Sequence, residues 1–126
     1  MLHTEILTLF HVEDGRLTRH LLTGHWYETN AVTMAANGSL QPQHVVKVRI
    51  PAPDCEGFTL AKIYAGAGWT AKPGDYIVRG AVTYEATAEK GHRVADLPQH
   101  FPAVAVVREA RDRRVGVQPH IYIEGA

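Results

Sequence analysis

One cysteine, one serine and a formal net charge of zero mark this chain first by what it does without. Cys55 has no partner for an internal disulfide, so the fold does not depend on an oxidising compartment. No apolar run approaches the roughly 18 residues of a membrane-spanning helix. The opening Met-Leu-His-Thr-Glu lacks the basic region of a signal peptide, and the expectation is a chain made in a cytoplasm, with no membrane partner. Proteins that grip phosphate backbones usually carry a basic excess; 13 Lys and Arg against 13 Asp and Glu give none. Near-zero charge also does little to oppose self-association. There is no internal repeat and no amphipathic helical stretch of useful length. What remains is ordinary globular composition, 45% hydrophobic and 21% charged over 126 residues, the size of one domain with a real core.

The residues present read as short strands. Glu5 to Val12 is apolar on both faces, and Glu13-Asp14-Gly15-Arg16 is a hairpin turn leading into a strand from Leu17 to Thr23. Gly24 breaks that strand, and another begins at His25-Trp26-Tyr27-Glu28. His44 to Ile50 alternates cleanly, with Val46, Val48 and Ile50 inward and Lys47 and Arg49 outward, until Pro51-Ala52-Pro53 ends it. Cys55 to Trp69 is ambiguous. From Lys72 to Glu85 a Pro-Gly turn launches a strand with Tyr76, Val78, Val82 and Tyr84 on one face. Asp75, Arg79, Thr83 and Glu85 lie on the other, with Ile77 as the apolar exception. Gly80 marks a bend or bulge. Val94 to Pro102 looks like one helical turn, Ala103 to Arg108 a buried strand, Ala110 to Val117 an arginine-rich turn, and Ile121-Tyr122-Ile123 a last strand. The expectation is one all-β domain over residues 1–126, a small antiparallel barrel or sandwich of six to seven strands with at most one short helical turn.

One segment departs from this pattern. From Thr29 to about Gln43 the chain is rich in turn formers, and no charged residue occurs between Glu28 and Lys47. It reads as a long surface loop, or as an arm or hairpin whose Val32, Met34 and Leu40 bury themselves against a neighbouring subunit.

Catalytic and metal signatures are sparse. The eight histidines (His3, His11, His20, His25, His44, His92, His100, His120) never stand two or three residues apart, so ligand spacing is missing. Each is read as structural or solvent-exposed. Lys72-Pro73-Gly74-Asp75 is similar to the second half of the cupin signature, but the paired histidines of its first half have no counterpart here. Cys55 lies in a loop with no basic neighbour to activate it, Ser39 lies in the uncharged excursion, and no glycine-rich loop opens onto a helix. No catalytic residue, metal or cofactor is expected. Arg108, Arg111, Arg113 and Arg114 form the densest cationic group. They read as a solvated turn, as forks for carboxylates across a subunit interface, or as a basic lining presented to DNA by copies in a ring.

Three segments in order, Val48-Arg49-Ile50-Pro51, Gly74 to Gly80, and Asp112-Arg113-Arg114-Val115-Gly116 with Pro119-His120 and Ile121 to Gly125, carry a resemblance. Together they resemble a family of small prophage proteins of unassigned function, encoded among the head and neck genes of tailed phages that infect Gram-positive bacteria. More distantly they are similar to head-completion or stopper proteins, small barrels that form a ring beneath the portal. Where that family reads Asp-Asn-Arg this chain has Asp112-Arg113-Arg114, and where it has a tryptophan after Pro-His this chain has Ile121. The resemblance implies a structural, non-enzymatic virion protein of the phage neck, a head–tail connector made in the bacterial host cytoplasm. It implies a ring of six or twelve copies, neighbouring portal or adaptor and tail-terminator or tail-tube proteins, and non-specific contact with packaged DNA. Val32, Met34, Leu40, Asp75, Arg79 and Glu85 would then form the arm and interface, and the four arginines the partner-facing turn. Two other readings stay open. One is an OB-like nucleic-acid-binding barrel using Trp26, Tyr27, Tyr64 and Trp69. The other is a small-ligand or enzymatic barrel whose polar residues are Asp75, His120 and Glu28.

Overall fold

A computed structural model describes residues 4–126, with the backbone alone at positions 31 and 33; His3 lies outside the described residues. Six antiparallel strands close into a barrel: β1 (Glu5–Glu13), β2 (Arg16–Met34), β3 (Leu40–Pro51), β4 (Tyr76–Arg79), β5 (Val104–Arg113) and β6 (His120–Gly125). Around the barrel the order is β1-β2-β3-β6-β5-β4, with β4 returning to β1. The expected all-β barrel is therefore present. Three short 3-10 turns, Asp54–Gly57, Ala61–Ile63 and Val94–His100, complete the regular structure. No helix among the described residues is long and apolar enough to cross a membrane.

Closure depends on one long bent strand. The first half of β2 pairs with β1 from Glu13↔Arg16 to Glu5↔Gly24, and its second half pairs with β3 from His25↔Arg49 onward. Gly24 is therefore a corner within a continuous strand rather than a break between two. A Cβ there would lie 2.6 Å from both the Arg49 carbonyl oxygen and Ile50 Cδ1, so only glycine lets β2 fold across β3 at this point. The Asp14-Gly15 turn has positive φ at both residues, 52° and 74°, which matches the twist of a two-residue hairpin.

The barrel interior holds Leu7, Leu9, Leu22, Trp26, Val46, Val48, Ile50, Ile77, Ala105, Val107, Ile121 and Ile123. Cys55, Phe58, Trp69 and Ala71 join them from the segment between β3 and β4. That segment is anchored by Trp69 Nε1, which donates to the Asp54 carbonyl at 2.7 Å, and by the Phe58–Trp69 edge contact at 5.0 Å. A second apolar cluster covers the outside of β1 and β4. Phe10, Val78 and Leu97 are buried there, with Leu17, Tyr76, Val82, Tyr84 and Phe101 packed around them.

The second cluster corrects the expectation for Lys72–Glu85. Tyr76, Val78, Val82 and Tyr84 do share one packed surface, but it lies outside the barrel, beneath the 94–100 turn. The interior is the other face, marked by Ile77. As a result the strand is short: Gly80, at φ 105°, ends it, and the chain beyond is irregular.

Candidate assembly arm and basic sheet face

The uncharged excursion is not a loop. β2 and β3 run on past the barrel rim as a hairpin, pairing Thr29↔Val45 through Met34↔Leu40. The turn is tight: Gly38 N–H donates to the Ala35 carbonyl at 2.9 Å, Gly38 takes φ 84°, and Asn37 Oδ1 accepts from Ser39 N–H and Oγ. The ladder already laid down by the barrel carries these weak strand formers outward.

Register decides what the hairpin displays. Residues directly opposite in an antiparallel ladder share a face. Trp26↔Val48 faces the barrel interior, and the same face continues through Glu28↔Val46, Asn30↔His44, Val32↔Pro42 and Met34↔Leu40. A band of exposed polar contacts, His44 Nε2 to Glu28 Oε1 at 2.9 Å and His44 Nδ1 to Asn30 Oδ1 at 3.5 Å, crosses this face at the rim. Beyond it Val32, Met34 and Leu40 are 66%, 72% and 69% exposed. The arm thus extends the inward-facing side of the sheet into solvent, with nothing among the described residues to cover it.

The arginine segment is also rearranged. β5 continues to Arg113, so Arg108, Arg111 and Arg113 sit on a strand and only Arg114 lies beyond it. The four do not act together. Arg108 is at the register shift between Val107 and Glu109, where its guanidinium meets the side-chain amide of Gln43. Arg114 folds inward: it holds both Asp112 oxygens, at 2.8 and 2.6 Å, and donates to the Phe58 carbonyl at 3.0 Å. That pairing holds the Asp112 carboxyl below its ordinary range. Arg111 pairs with Glu109, and Arg113 lies 4.8 Å from the centre of the Tyr122 ring.

Arg111 and Arg113 join residues that the arginine cluster in sequence did not point to. Across the outer face one row reads His25, Arg49, Tyr122, Arg111, and the next brings His120 beside Arg113. Tyr27 and Lys47 stand one pair above. The signal that could have found this face was the outward alternation of Lys47 and Arg49.

Of the residues expected at an interface on the central stretch, Asp75 is misplaced. It is fully buried. Its carboxylate accepts from His11 Nδ1 at 2.8 Å, Val12 N–H at 2.9 Å and Lys72 N–H at 3.0 Å, tying the start of β4 to β1. Arg79 is exposed and paired within its own chain to Glu5. Glu85 is exposed beside Tyr84, in the shallow depression it shares with the first hairpin. The polar trio of the ligand-barrel reading does not converge: Asp75 is inside with His11, Glu28 is with His44 at the arm's base, and His120 is on the outer face with its ring against its own loop at Gln118 O. Of the aromatics proposed for base stacking, Trp26 and Trp69 are core residues, Tyr64 packs edge-on to His11, and Tyr27 alone is prominent, at 63% exposed. Burial raises the Cys55 thiol's pKa, which suits an inert core residue. Among the described residues no cluster of His, Cys, Asp and Glu could hold a metal ion.

The chain belongs to a family of unknown function (DUF6751), whose family model matches residues 2–126. No curated protein and no solved structure matches it.

Proposed function

We propose that this protein is a structural, non-enzymatic component of a tailed phage or prophage virion. In this reading it is a head–tail connector of the head-completion or stopper type, and the arm builds it into a ring of six or twelve copies in the neck. Portal or adaptor proteins would lie on one side and tail-terminator or tail-tube proteins on the other. The observation that carries the reading is the arm: a preformed hairpin whose three apolar side chains face solvent on a chain of zero net charge. Burying a valine, a methionine and a leucine contributes about 2 kcal/mol each. The hairpin's backbone is already paired, so docking avoids most of the about 1–2 kcal/mol per residue needed to order a mobile loop.

The arm needs a socket elsewhere on the molecule. Ile6 and Leu21, 53% and 49% exposed, are diagonal neighbours on the outer face of the β1–β2 ladder, between Ile6↔Thr23 and Thr8↔Leu21. An arm that fits a different patch on the next copy makes a head-to-tail contact, and such contacts close into rings when the rotation permits. The segments that resemble prophage neck proteins lie on β3, β4 and the β5–β6 region, within this same scaffold.

Size-exclusion chromatography with light scattering tests the reading. The native chain is expected as a closed oligomer at micromolar concentration. Met34→Asp with Leu40→Asp is expected to run as a folded monomer, with far-ultraviolet circular dichroism unchanged because both positions are exposed. A native chain that stays monomeric, or an oligomer indifferent to these changes, would sink the proposal.

A further inference from the structure

We infer that the outer face of the β2–β3–β6–β5 sheet is a binding groove for the phosphodiester backbone of a nucleic acid. The chain as a whole is neutral, yet this face is not. A cleft of about 280 Å³ is lined by His25, Lys47, Arg49, Arg113 and His120 with Tyr27 and Tyr122, and a neighbouring cleft of about 310 Å³ shares His25 and Arg49. Among the described residues no carboxylate lines either cleft. The acidic residues of the face, Glu109 and Glu124, share its upper row with Lys47: Glu124 stands between Lys47 and Glu109 and accepts from Tyr122 Oη at 3.1 Å. Glu109 is engaged by Arg111, which leaves Arg49 and Arg113 as the cations without a carboxylate partner among the described residues.

Three geometric facts select the ligand. The row from Arg49 across Tyr122 to Arg111 sets two guanidiniums two inter-strand spacings apart, about 10 Å, wider than a single phosphate and suited to successive phosphates of a strand. Guanidinium forks supply most of the charge, and their planar donors match phosphate oxygens. Tyr27 presents an exposed ring at the end of the groove, where a base or sugar can lie against it. Arg113 on the Tyr122 ring and Arg49 on Gln118 (Nη2 to Oε1, 2.9 Å) are held by uncharged partners, so both keep their full charge for a ligand. An acidic protein surface would meet the same charges but would leave the open length of the row and the exposed ring without a purpose. The groove lies within one chain, so the inference does not depend on ring assembly.

Fluorescence anisotropy with labelled 20-nucleotide single-stranded and duplex DNA tests it, with poly-glutamate as a competitor. About four phosphate contacts predict that each doubling of salt weakens duplex binding roughly tenfold. Arg49→Glu with Arg113→Glu is expected to lower affinity at least tenfold and to flatten the salt dependence. Lys47→Glu with Arg111→Glu, on the same face, is expected to do the same should the first pair perturb folding. Lys90→Glu, off the face, should change nothing. Preference for single-stranded over duplex DNA would mark Tyr27 stacking as part of the site. The inference is overturned by undetectable binding to either DNA at low salt, by equal loss in Lys90→Glu, or by poly-glutamate competing as well as DNA.

Discussion

His20 shows at the residue scale what the barrel interior demands. Its position opposite Leu9 turns it inward, where the half-buried ring has an Nε2 shut off from solvent and without a hydrogen-bond partner among the described residues. Burial lowers its pKa below the ordinary 6.5, the nearby His11 adds to that, and Asp75 opposes it. The folded chain therefore resists a proton that the unfolded chain accepts. The stability tied to neutral His20 is complete above pH 6.5 and is lost as the pH falls from 6.5 toward the lower folded value. Urea denaturation at pH 7.0 and 5.5 is expected to show a smaller acid loss in His20→Gln, which stays neutral throughout, than in the native chain; equal losses would contradict the assignment. Asp75 teaches a related lesson. Sequence alternation places it outside because its face otherwise carries Arg79, Thr83 and Glu85. The apolar exception, Ile77, was the legible sign that this face is the interior. The partner that makes burial tolerable, His11, is 64 residues away and could not be read from local pattern.

Strand elements were legible where one side chain type alternated and illegible where a neighbour imposed the structure. β3 was plain from Val46, Val48 and Ile50. In the arm, Asn30, Gln41, Pro42 and Gln43 are poor strand formers and local sequence points to a loop, although Asn37-Gly38 marks its turn. Its ladder is templated by the barrel strands beneath it, a tertiary effect that overrides propensity. The distal half of β5 looks like a turn in sequence because its charges hide the alternation that pairing with β6 reveals. Gly24 looked like a break and is the corner on which β2 serves two sheets. Gly24→Ala is expected to destabilise the fold by about 3 kcal/mol in chemical denaturation, since its Cβ would meet backbone as well as Ile50. A change below about 0.5 kcal/mol would mean that the corner is looser than the close contacts imply.

At the scale of the whole molecule, a neutral chain separates its surfaces. One rim carries an apolar arm, one sheet face collects cations, and the β1–β2 exterior offers Ile6 and Leu21. Composition could suggest that such a chain self-associates, but only register shows that Val32, Met34 and Leu40 share one face while Arg49, Arg111 and Arg113 share another. The central claim is that the arm of each copy enters the β1–β2 patch of the next. Cross-linking tests it most directly. Cys55 is buried, so a chain carrying Leu40→Cys and Leu21→Cys presents two accessible thiols, one on the arm and one in the socket. Mild oxidation of the assembled protein is expected to give a ladder of covalent multimers on a non-reducing gel, ending at the size of the ring, while each single variant stops at the dimer. A double variant that yields nothing above the dimer would contradict the account.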